Sequence, residues 1–125
     1  MGPDDERGGT VAVLGDARVT LTEAHDERGC HLALAGRLDV RTVADVRSTL
    51  NRSIAAGSTA VHLDLGEAHV GDATGFGLLV EVLRRARRAG RPLVVVAADD
   101  RTRRLFRRAR MGSLLADDLL AGAVG

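Results

Sequence analysis

The chain has 125 residues, of which 45% are hydrophobic and 28% charged, the length and composition of one globular domain. Its formal net charge of +1 lacks the strong basic bias of a dedicated nucleic-acid binder. Its longest strongly apolar stretch, Leu93 to Ala98, falls far short of the roughly 20 residues that span a bilayer as a helix.

There is no Trp or Tyr and only two Phe, so Leu, Val and Ala must fill the core. Every basic residue is Arg. A lone cysteine, Cys30, can form no internal disulfide and fits a reducing compartment. Met1 to Gly9 is acidic and Gly-rich, without a basic segment followed by an apolar one, which argues against a signal peptide. The expected location is the cytoplasm.

Residues 1–17 are expected to form a partly disordered lead-in and residues 18–122 the domain. Within the lead-in, Val11 to Leu14 reads as a small edge strand or an irregular tether. Arg18 to Thr22 and Cys30 to Ala35 alternate in polarity on either side of Asp26-Glu27-Arg28-Gly29, which predicts an antiparallel hairpin. Gly36-Arg37-Leu38-Asp39 is expected to break the second strand. A helix follows, with Val43, Val46, Leu50 and Ile54 on one stripe and Thr42 with Asp45 in a variant capping box.

Ala60 to Leu65 is aliphatic and β-branched, as a strand requires. After Asp72-Ala73-Thr74-Gly75 a second helix is predicted, burying Phe76, Leu79, Val80, Leu83 and Ala86, with Glu81 and Arg85 paired outside. Pro92 opens a strand over Leu93 to Ala97. Asp99 or Asp100 caps a third helix through Leu105, Phe106 and Ala109, and Ser113 to Leu120 forms a last helical turn. Strands alternating with helices predict an α/β fold: one domain whose mixed, mostly parallel sheet of about four strands is flanked by helices.

Three segments together resemble the STAS family, at the order and spacing in which they occur. They are Gly36-Arg37-Leu38-Asp39, the strand Val61-His62-Leu63-Asp64-Leu65, and Asp72-Ala73-Thr74-Gly75-Phe76-Gly77-Leu78-Leu79. The resemblance implies partner switching. An anti-sigma-factor antagonist of this kind binds a serine-kinase anti-sigma factor and frees the sigma factor, and phosphorylation after the motif's Asp breaks the complex. It places partner contacts at Arg37, Leu38, Asp39, Asp72, Ala73, Thr74, Gly75, Phe76, Gly77 and Leu78. Ala73 stands where the usual phosphoacceptor hydroxyl would be; Thr74 is the remaining candidate, against a plain role as helix cap. The resemblance also admits a subunit of a transport assembly, seated on its ATPase, or a small-ligand module. Weak self-association is left open.

No cofactor and no catalytic residue are expected, because the motif places no nucleophile beside a base. Asp39 and Asp72 are expected on one sheet edge, there to position a partner or a magnesium-bound phosphate, or to serve as turn and cap residues. His25, His31, His62 and His69 lack metal-ligand spacing, and Cys30 lacks a CxxC partner. Gly71 to Gly77 has neither the lysine nor the spacing of a P-loop. The six arginines between Arg101 and Arg110 read as a solvated face over Leu105, Phe106 and Ala109, ahead of nucleic acid or anionic lipid.

Overall fold

The computed structural model describes residues 9–116. Five strands, β1 (Thr10–Leu14), β2 (Val19–Asp26), β3 (Gly29–Leu38), β4 (Val61–Val70) and β5 (Leu93–Ala98), lie in sequential order in one sheet. Helix α1 (Val43–Ala55) joins β3 to β4, α2 (Ala73–Arg88) joins β4 to β5, and α3 (Asp100–Arg108) follows β5. The α/β class holds. Thr10–Leu14 makes the fifth strand, and the pairing is evenly divided: β1–β2 and β2–β3 antiparallel, β3–β4 and β4–β5 parallel.

The alternation along the strands explains the layering. Val19 and Leu21, then Cys30, Leu32 and Leu34, then Val61, Leu63 and Leu65 are buried, while Thr20, Ala33 and His62 between them keep partial exposure. One sheet face therefore carries the core. The two parallel crossovers run in the same direction along the sheet, so α1 and α2 fall on one side. Phe76 on α2 meets Phe106 on α3 edge-to-face at 5.5 Å, which brings α3 to that side too.

Two strands run further than the polarity pattern predicts. Gly36 continues β3 with φ of 120°, paired with Val19 and Ala68; a side chain there would fall on the Arg18 carbonyl oxygen. A register shift opposite Ala33 and Ala35 carries β4 on to Val70. Both strands thus reach the edge where the motifs lie.

The capping box on α1 does not form. Thr42 is buried; its hydroxyl accepts from the Asp39 amide at 3.1 Å and donates to the Arg37 carbonyl at 2.9 Å. Asp45 instead accepts from the Gly15 amide at 3.2 Å, tying the β1–β2 turn to α1. On α2 the buried set is Gly75, Leu78, Leu79, Val82, Leu83 and Ala86; Phe76 and Val80 lie half-buried at its margin. Glu81 pairs with Arg47 of α1 at 3.0 and 3.2 Å, not with Arg85. On α3 Thr102 and Phe106 are buried, and Ala109 is exposed. Past it, a 3₁₀ turn over Gly112–Leu114 leads to a single parallel bridge between Leu115 and Val95. Leu119 and Leu120 lie outside the described residues.

Candidate partner-docking site

The ends of β3 and β4 and the start of α2 meet at the C-terminal edge of the parallel strands. The Gly71 amide donates to the Leu38 carbonyl at 2.8 Å, drawing the two strand exits together. Asp72 then caps α2: Oδ1 accepts from the Gly75 amide at 2.8 Å, answering one of the helix's free N–H groups. Its other oxygen, Oδ2, accepts from the Val40 amide at 3.0 Å. One carboxylate therefore braces both the helix start and the loop after β3.

Asp39 shapes the same loop. Oδ1 accepts from the Arg41 amide at 2.9 Å, and Oδ2 accepts from Arg37 Nε at 3.1 Å. Arg37 also donates from Nη2 to the Gly71 carbonyl at 3.3 Å. Desolvation pushes the Asp39 carboxyl up, but the hydrogen bonds from Arg41 and Arg37, with the Arg37 charge, outweigh it and hold the group below its ordinary value. The two aspartates share an edge as expected. Each carboxylate is committed to backbone N–H groups or to Arg37, in the turn and capping roles.

Gly75 makes the close approach possible. A Cβ there would fall on the Leu38 carbonyl oxygen and the Leu38 side chain, so only glycine lets the first turn of α2 pack on the β3 exit. Gly77, two residues along, has nothing within 4 Å of the same hypothetical atom and faces outward.

The motif residues accordingly separate into a surface and its support. Ala73, Thr74, Gly77 and Arg37 are exposed, and Asp39, Asp72 and Phe76 are half-buried. Gly75 is buried, and Leu38 and Leu78 are 0% exposed. Leu38 and Leu78 therefore cannot touch a partner directly: Leu38 is the last inward residue of β3, and Leu78 lies on the sheet-facing stripe of α2. Thr74 is not the cap, because Asp72 holds that position; its hydroxyl has no hydrogen-bond partner among the described residues. Sequence reasoning missed Val40, 69% exposed in the middle of the edge. An apolar residue between Asp39 and Arg41 in a polar connection was the available signal.

Away from this edge, Glu23, His25 and Cys30 bring a carboxylate, an imidazole and a thiol within 4.8 Å of one another, a grouping their sequence spacing did not suggest. His25 and Ser53 both hydrogen-bond Glu23. Burial, then the Glu23 charge, pushes the Cys30 thiol up, which opposes the thiolate a metal requires. The grouping runs from the exposed His25 through the half-buried Glu23 to the buried Cys30. Among the described residues, no helix is long and apolar enough to cross a membrane.

Comparison with known folds agrees with this geometry. The structure is similar to the anti-sigma factor antagonist SpoIIAA in its unphosphorylated form, with a TM-score of 0.61 at 17% identity, over 84% of this chain and 96% of that one. It is likewise similar to the Bacillus cell fate determinant SpoIIAA in the phosphorylated form, with a TM-score of 0.62 at 16% identity, over 82% and 98%. No curated protein matches the sequence. The family model described as "Mlab, STAS domain" matches residues 21–119, and with strands, helices and motif loop in the corresponding order the chain belongs to the STAS domain family.

Proposed function

We propose that the chain is a non-catalytic docking module, an anti-sigma-factor antagonist whose partner is a serine-kinase anti-sigma factor. The observation that carries this reading is the edge itself. Val40, Ala73, Thr74 and Gly77 are exposed together, on a rigid frame set by the two hydrogen bonds of Asp72. A small-residue helix start lets a partner's backbone approach closely. The likeness to SpoIIAA supports the fold, and the partner class follows that protein's description as an anti-sigma factor antagonist.

Position 73 is the first residue of α2, where the free N–H groups and the helix dipole tolerate an anion. A phosphate there brings about −1.5 to −2 charges onto the middle of the platform. Ala73 removes that switch and leaves the docking. Affinity capture from an extract of the source cells, read by mass spectrometry, tests the reading. A kinase-type anti-sigma factor is expected, and incubating it with Ala73→Ser should label Ser at that position while the parent chain stays unlabelled there. Capture of no such protein would overturn the assignment.

The missing hydroxyl also suits a second reading, a permanently seated subunit of a transport assembly. Capture of an ATPase subunit in place of an anti-sigma factor would select it.

A further inference from the structure

At the end of the sheet remote from the docking edge, α2 finishes, β5 begins and the chain leaves α3. These segments enclose a groove of about 630 Å³, within the roughly 300–1,000 Å³ usual for small-molecule sites. Its floor is apolar: Leu93 on β5, with Met111 and Leu114 past α3, packs against the core yet stays partly exposed. Its rim is cationic. Arg84 and Arg87, three residues apart on α2, and Arg110 past α3 all line it and are exposed. Their guanidinium groups pair with no carboxylate among the described residues.

Arg110 is also conformationally unusual. Its φ of 61° lies in the left-handed region, which at a helix end is normally given to glycine. The turn closes through Met111 N to the Phe106 carbonyl at 2.8 Å and Arg110 N to the Arg107 carbonyl at 3.0 Å. Glycine would close it without strain. A strained arginine at the mouth of a groove points to a role for its side chain.

We propose that this groove binds a single-chain amphiphile with an oxyanion head. The head, a phosphate or carboxylate, is met by Arg84, Arg87 and Arg110, whose planar forks suit such groups. The chain lies on Leu93, Met111 and Leu114. A neutral amphiphile leaves three cations unanswered, and a small free anion leaves the apolar floor bare. Because the groove sits at the start of β5, opposite the exits of β3 and β4, its ligand leaves the docking edge uncovered.

Calorimetric titration of the full chain with dodecyl phosphate, kept below its micelle concentration, tests the site. One-to-one binding is expected, weakened at least tenfold in the double variant Arg84→Gln/Arg87→Gln. Inorganic phosphate and dodecyl maltoside should each bind at least tenfold more weakly than dodecyl phosphate. Arg110→Gly should weaken binding several-fold while raising the thermal midpoint, a combination that loss of folding cannot produce. No binding by the parent chain, equal binding by the double variant, or equally tight binding of inorganic phosphate would each overturn the proposal.

Discussion

Gly75 and Gly77 are two residues apart in one helix, and the structure assigns them opposite responses to the same change. At Gly75 an added methyl meets the Leu38 backbone, so Gly75→Ala should destabilise the fold by about 1–3 kcal/mol, the usual cost of overpacking. At Gly77 the methyl meets open space, and Gly77→Ala should stabilise by roughly 0.5–1 kcal/mol through helix propensity. Urea denaturation of the two variants reads both signs. Asp72→Ala removes a helix cap and the brace on Val40 together. It should cost about 1–2 kcal/mol, with faster hydrogen exchange at the Val40 and Gly75 amides as its local signature.

Glu23 gives the residue-scale pH dependence. Burial pushes its carboxyl up, but the hydrogen bonds from Ser53 and His25 and the nearby Arg91 charge outweigh burial and hold it below its ordinary value. A carboxyl depressed in the folded state contributes stability that is present above its unfolded pKa, about 4.3, and is lost as pH falls through the folded one. Denaturation midpoints should therefore drop below about pH 4.5, and the drop should be shallower in Glu23→Gln.

At the scale of elements, burial periodicity predicted each helix and its order, but not how each is held. The stripe on α1 (Val43, Val46, Leu50 and Ile54) is the one observed. On α2 the pattern Phe-Gly-Leu-Leu-Val-Glu-Val-Leu offers two overlapping apolar stripes. The face that is buried is the one bearing Gly75, whose close contact with Leu38 depends on a strand distant in sequence. Thr42 and Asp45 show the same limit. Thr42 bonds back to the Asp39 amide and the Arg37 carbonyl instead of capping the helix, and Asp45 reaches the Gly15 amide, thirty residues away.

Arg91 is the clearest case of an element secured by a residue whose sequence context says nothing. It is 2% exposed, and its guanidinium donates to the carbonyls of Ser53, Ile54 and Thr59 at 3.0, 2.9 and 2.7 Å. Two of these carbonyls belong to the last turn of α1, which would otherwise lack partners. Arg91→Ala should cost at least about 2 kcal/mol, because several buried acceptors lose their donors at once. Arg91→Lys should recover little of it, since one ammonium cannot reproduce the fork. Chemical denaturation of both variants checks this.

For the molecule as a whole, a net charge of +1 conceals a strong division. Residues 84–110 hold eleven of the eighteen arginines and only two of the seventeen carboxylates. Composition alone could exclude a uniformly basic chain, but not this asymmetry, which becomes spatial only when Phe76 of α2 and Phe106 of α3 meet. The motif resemblance draws on two segments, around Asp39 and Asp72, that the fold brings together at the exits of β3 and β4. It did not distinguish Leu38 and Leu78, which support the edge, from Val40, which is exposed on it, because adjacent residues on a strand or helix look alike until their faces are assigned.

The account rests on that edge being an exposed, small-residue platform from which added charge expels the partner. The most direct measurement is the affinity of the captured anti-sigma factor for the parent chain and for Ala73→Glu, with Val96→Thr on the sheet's last strand as control. The platform account predicts at least a tenfold loss for Ala73→Glu, with the control unchanged. Equal affinity for the parent chain and Ala73→Glu would contradict it.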